Sequence, residues 1–196
     1  GDNSSNGRVV FDPAQYKDRA ALLLLNGVVY TTWASHCDIR PYTGWIMGYN
    51  QTTLAQTTVL NVVPNGSEGA IWMADTGPAA DSAGNIYLLD ANGDFGTTLD
   101  GSGFPSNGNY GNAFLKISTA GGLSVADYFE MHDQQQENDS DRDLGSGGQG
   151  HVDAARDQAD PGTPIESRGG DRGAHPAART IADEAHRIDR LARAAG

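Results

Sequence analysis

The residues best suited to chemistry in this 196-residue chain are carboxylates, and they fall into short clusters. Asp90, Asn92 and Asp94 alternate ahead of Gly96, and Asp139, Asp141 and Asp143 alternate ahead of Gly145. Alternating oxygen-bearing side chains can converge on one hard cation, so each loop is read as a candidate calcium site. Neither is an EF-hand, because the glycine falls one place late and Gly101 and Gly150 stand where a bidentate Glu would close the loop. Ordinary acidic turns are the competing reading of both. A second cluster, His36-Cys37-Asp38, puts an imidazole, a thiol and a carboxylate in one loop. A base beside a thiol can activate it, but neighbours on an extended chain point to opposite sides. His36 and Asp38 are therefore candidate catalytic groups, with Cys37 read as a buried, inert thiol. Glu68 and Asp75 flank Trp72, an arrangement that suits an acid/base pair with the indole as a stacking surface for a cofactor. Against it stand a solvated carboxylate at Glu68, a backbone-capping role for Asp75, and packing of Trp33, Trp45 and Trp72 between sheets. No Gly-rich phosphate loop, zinc spacing or Gly-x-Ser-x-Gly elbow occurs, which removes several enzyme classes.

The elements that must position these residues read as strands. Asn26-Gly27 between Ala20–Leu25 and Val28–Ala34 is a strong hairpin signal, because Asn-Gly supplies the positive φ pair of a type I′ turn. Gly84-Asn85-Ile86-Tyr87 repeats the Asn26-Gly27-Val28-Val29-Tyr30 pattern, with Tyr30 and Tyr87 57 positions apart. Each copy is followed by strand, polar turn, strand: 45–49, 50–53 and 54–61, then 112–117, 118–122 and 123–129. A unit of about four strands repeated at several tens of residues is the signature of β-propeller blades. The expected fold is thus all-β, an incomplete propeller of about two blades. The stretch 92–112, made mostly of Gly, Asn, Asp, Ser and Thr, reads as a long loop kept for function or disorder.

Composition narrows the partners. A net charge of −12 disfavours nucleic acid, and the longest apolar run, Ala20–Leu25, is too short to span a bilayer. A lone cysteine forms no internal disulfide. The first residue is Gly, so the chain is read as a fragment or processed product. All fifteen aromatic residues lie before position 130, and the tail from His151 holds seven Arg, no Lys and eleven Ala. The expected division is a β region over 1–148 and a tail over 149–196. That tail is read either as a linker ending in a short helix over 180–195 or as an out-of-frame stretch.

ALLLLNGVVY (21–30), ASHCD (34–38), PNGSEGAIW (64–72), AADSAGNIY (79–87), FLKISTAGGLSVADYF (114–129) and NDSDRDLGSGG (138–148) resemble bacterial pyrroloquinoline quinone-like, quinoprotein-type β-propeller repeat proteins. The resemblance implies a ring of seven or eight blades and a secreted or periplasmic setting. Quinoprotein dehydrogenases carry a vicinal Cys pair and a tryptophan motif in each blade; one Cys and no repeated Trp signature argue against pyrroloquinoline quinone here.

The leading expectation is a binding or scaffold module that takes a small-molecule ligand and pairs with the missing blades of a parent propeller or with itself. The alternatives are a calcium-dependent lactone or ester hydrolase, in which the cation polarises the carbonyl, and a quinone-dependent dehydrogenase fragment.

Overall fold

The structure, a computed structural model, describes residues 1–146; the expected tail and its helix over 180–195 lie outside the described residues. The chain opens with a two-residue ladder between β1 (Ser4–Ser5) and β2 (Arg8–Val9). The first large sheet contains β3 (Tyr16–Asp18), β4 (Leu23–Leu25), β5 (Val28–Ser35), β6 (Trp45–Asn50) and β7 (Gln56–Asn61). β5, β6 and β7 run as an antiparallel meander, while β4 pairs the start of β5 and β3 pairs its end. The Asn26-Gly27 hairpin forms as its chemistry requires: Leu25 pairs with Val28, and both turn residues have positive φ, 50° and 79°.

The second sheet is a four-stranded antiparallel meander in the order β8 (Ala79–Ala80), β9 (Ile86–Leu89), β10 (Ala113–Ser118) and β11 (Ser124–Glu130). Its first hairpin is stapled by a single carboxylate. Asp81 Oδ1 accepts from the backbone N–H groups of Ala83 (2.9 Å) and Asn85 (2.8 Å), and Oδ2 accepts from Asn85 Nδ2 (2.7 Å) and the Tyr87 hydroxyl (3.0 Å). The described residues are almost wholly β, with antiparallel sheets, none of them closed on itself.

Strand periodicity decides which residues join the two sheets. On the first sheet Tyr30 lies opposite Gly48 and Ile46 opposite Leu60, and all but the glycine pack into the main core. The Tyr30 ring needs that glycine, since a Cβ at Gly48 would lie 3.0 Å from Tyr30 Cε1 and 2.7 Å from the Thr58 methyl. On the second sheet the residues in the same core are Ile86, Leu88, Leu115 and Ile117. Tyr87 and Leu89 alternate with them and so point to the opposite face, beside Phe114, Lys116 and the 38 % exposed Phe129. Tyr30 therefore faces the neighbouring sheet, whereas its repeat counterpart Tyr87 faces away. The sheets stack front to back.

The other face of the first sheet, with Tyr16, Trp33, Trp45, Met47 and Tyr49, is covered by Val9 and Phe11 from the start of the chain. Phe11 stacks on Tyr16 at 4.7 Å and meets Trp33 and Trp45 edge-on at 5.1 and 5.9 Å. The tryptophans do pack, as expected, but this face packs against the N-terminal segment.

In a meander, alternate connections emerge at the same end. The connections 36–44 and 90–112 and the segments 62–78 and 131–146 all lie at one end of the two sheets, joined by isolated bridges of Glu68 to Thr43 and to Gly93. Every candidate site residue named above sits on this end. The 90–112 loop is held by bridges between Phe95 and Tyr110 and between Leu99 and Pro105. After β11 the chain makes a short helix, α1 (Gln134–Asp139), and returns across the loop ends, so Asp139 is helical where the sequence suggested a loop. No helix among the described residues is long and apolar enough to cross a membrane.

Candidate functional site

The returning segment 133–146 works as a strap over the end of the second sheet, and its polar side chains make the site. Gln134 is 5 % exposed and donates through Nε2 to the carbonyls of Gly93 (3.1 Å) and Gly111 (3.3 Å). Asn138 Oδ1 accepts from Gly93 N at 2.7 Å. Asn112, 1 % exposed, accepts from Leu144 N at 2.9 Å through Oδ1. Gly145 O accepts from Met73 N at 2.9 Å, which carries the strap to the 62–78 connection. Gly145 is a close-approach glycine: a Cβ there would lie 2.6 Å from the Asp90 carbonyl oxygen.

Two halves of the acidic loops meet here. Asn92 donates its backbone N–H to Asp143 Oδ1 and its Nδ2 to Asp141 Oδ1, each at 3.0 Å. Asp90 is fully buried; its Oδ1 accepts from Ala113 N at 2.6 Å and its Oδ2 has no hydrogen-bond partner. Burial pushes the Asp90 carboxyl well above its ordinary value, and the charge of Asp143 adds to the effect. Burial also raises Asp143, opposed by the bond from Asn92 N and reinforced by the charges of Asp141 and Asp38.

The other two members of those loops are engaged elsewhere. Asp94 Oδ2 accepts from Ser67 N (3.0 Å) and Ser67 Oγ (3.2 Å), and Asp139 Oδ1 accepts from Gln135 Nε2 at 2.8 Å. Among the described residues no three His, Cys, Asp or Glu side chains gather closely enough to hold a metal ion by themselves.

The remaining candidates spread around the same end. His36 is exposed, Cys37 is exposed where a buried thiol was expected, and Asp38 accepts a short hydrogen bond from the Tyr42 hydroxyl. Cys37 and Asp38 both have positive φ, 58° and 56°, so this loop is a left-handed turn and not the extended segment its sequence suggested. Burial raises the Tyr42 hydroxyl and the Asp38 hydrogen bond adds to it, which keeps Tyr42 a donor. Glu68 lies 3.6 Å from Arg40, which also pairs with Asp2 at 3.2 Å. Burial raises Glu68 while Arg40 lowers it, and its charged neighbours are Asp38, Asp94 and Asp2. Asp75 is exposed at a positive-φ turn, with φ 66°. Amide capping of the kind considered for Asp75 is seen at Asp81.

Trp72 is only 8 % exposed, and the cations of Lys17 and Arg19 lie over its ring at 5.6 and 5.5 Å. The indole is thereby occupied by side chains of its own chain. An open cleft of about 290 Å³ runs from Lys17, Arg19 and Trp72 to Asp38, Asp141 and Asp143. It has a basic wall and an acidic wall. Lys17 and Arg19 escaped the sequence reading because they lie in and just after a three-residue strand without a motif. Gln134, Asn138 and Asn112 are amides whose partners lie more than twenty residues away, and no local spacing marks them.

No family model, curated protein or solved structure matches this chain. Its chemistry is read from its own geometry.

Proposed function

We propose that the chain is a binding and scaffold module built from stacked four-stranded repeats of the β-propeller kind, with the loops at one sheet end as its binding face. The observation that carries this reading is the opposite orientation of two equivalent tyrosines. Tyr30 faces the second sheet, and Tyr87, at the same place in the next repeat and itself only 1 % exposed, points to the other face, where Phe129 is 38 % exposed. The first interface supplies the rule for the second: the Tyr87 face takes the Ile- and Leu-bearing face of another repeat, from further blades or another copy. The two-walled cleft suits a small zwitterionic ligand, its anionic group toward Lys17 and Arg19 and its cationic group toward Asp38, Asp141 and Asp143.

Light scattering on the full chain tests the stacking. The parent should self-associate, and Phe129→Glu should return it toward monomer without lowering its melting temperature. A parent that runs as a sharp monomer, unchanged by Phe129→Glu, would overturn the stacking reading.

A further inference from the structure

Five Asn-Gly steps occur in the chain, at Asn6, Asn26, Asn65, Asn92 and Asn107, and the fold treats them in two ways. An asparagine before glycine is open to attack by the glycine nitrogen on its own side-chain carbonyl, since no Cβ on the glycine hinders the approach. The attack needs a glycine N–H and an asparagine amide without other partners. Three steps are tied at both groups. Asn65 Nδ2 donates to the Asn107 carbonyl at 2.6 Å, and Gly66 N donates to the Val63 carbonyl at 3.4 Å. Asn92 Nδ2 donates to Asp141 Oδ1 at 3.0 Å, and Gly93 N donates to Asn138 Oδ1 at 2.7 Å. Asn107 Oδ1 accepts from Asn109 N at 3.1 Å, and Gly108 N donates to the Pro105 carbonyl at 2.9 Å. The other two steps are bare. Asn6-Gly7 and Asn26-Gly27 are two-residue hairpin turns, between Ser5 and Arg8 and between Leu25 and Val28. Their φ angles are all positive, 52° and 73° in the first and 50° and 79° in the second. Both asparagines are exposed, and among the described residues neither asparagine side chain nor either glycine N–H has a hydrogen-bond partner.

We propose that Asn6 and Asn26 are the positions at which this chain converts asparagine to aspartate and isoaspartate, while the fold protects the three tied steps. The glycine nitrogen gives up its proton and bonds to the asparagine Cγ. The side-chain nitrogen leaves as ammonia with that proton, and water then opens the five-membered ring at either carbonyl. Nothing is oxidised or reduced. Opening at one carbonyl gives aspartate, which suits the same turn as asparagine. Opening at the other gives isoaspartate, whose extra backbone carbon no longer fits a two-residue loop between paired strands. Either product adds a negative charge. At Asn26 the charge arrives beside the turn held by Asp81, since a Cβ at Gly84 would lie 3.4 Å from Asn26 Nδ2. The strand it disturbs, β4, packs Leu23 and Leu25 against the main core. At Asn6 the loosened ladder is the one that carries Val9 over the first sheet. The inference depends on neither the stacking nor the cleft.

The test is to incubate the full chain in mildly alkaline buffer, digest it, and weigh the peptides, with a parallel sample unfolded in urea where all five steps are equally free. In the folded chain Asn6 and Asn26 should convert about tenfold faster than Asn65, Asn92 and Asn107, whose hydrogen bonds must first break. In urea the rates should converge. Asn26→Gly keeps a Gly-Gly turn of the same type, and over the same incubation it should lose less melting temperature than the parent. Folded-state conversion at any tied step as fast as at Asn26 would overturn the proposal, as would no conversion at either bare step. Equal losses in the parent and in Asn26→Gly would overturn the effect assigned to the β4–β5 hairpin.

Discussion

The Tyr87 hydroxyl donates to Asp81 Oδ2 at 3.0 Å, and the same carboxylate holds the turn that leads into the tyrosine's own strand. A side chain thus ties the hairpin's turn to its strand across six residues. Asp81→Ala removes acceptors for four donors, and a loss of about 1–3 kcal/mol is expected. Urea unfolding measures it; a change within error would mean that Gly84 and the strand pairing hold the turn unaided. Burial opposes ionisation of Asp81, but the bonds from Asn85, Tyr87 and Ala83 outweigh it and lower its pKa. Its contribution is therefore present above the ordinary carboxylate range and is lost as pH falls through the lowered value.

The strands and the first hairpin were legible because their causes are local. Asn26-Gly27 needs no information from elsewhere, and the Tyr30/Tyr87 repeat is visible at once as strand composition. The front-to-back stacking was not, since it depends on which face each tyrosine presents to a neighbouring sheet. β3 is three residues long and shows no period, and α1 reads Gln-Gln-Gln-Glu-Asn-Asp, with no apolar stripe to announce a helix. Alternation suggested two self-contained loops, whereas Asn92 meets Asp141 across 49 positions of sequence.

Leu115 is fully buried opposite Leu88 and Tyr128, inside the core shared by the two sheets. Leu115→Ala should cost about 2–5 kcal/mol, and Phe129→Ala, on the outer face, less than about 1 kcal/mol. Chemical denaturation of the two variants gives the comparison. Equal losses would mean that Phe129 is packed within its own chain as tightly as Leu115.

Burial raises Glu130 to about 7. Its folded pKa lies above the unfolded value, so the stability it contributes is full below about pH 4 and is lost as pH rises through about 7. The melting temperature should fall between pH 5 and pH 8. Glu130→Gln, uncharged throughout, should flatten the upper part of that slope; an unchanged profile would remove Glu130 as its source.

Gly145 presses its backbone onto the Asp90 carbonyl, so Gly145→Ala should lift the strap while leaving both sheets folded. Limited proteolysis would then cut within 131–146 much faster than in the parent, with the far-ultraviolet spectrum retained. Equal cutting rates in parent and variant would show that the strap rests on its amide bonds and not on this close approach.

The cover that Val9 and Phe11 lay over the first sheet gives the molecule a polarity. A front-to-back contact is heterologous: it joins unlike surfaces, and nothing in it stops further addition until a ring closes or an end is blocked. One end is blocked here, much as a terminal repeat seals a solenoid. Any array begun by this chain would extend only from the side of Tyr87, and deleting residues 1–12, which leaves β3 in place, would open the second growing end.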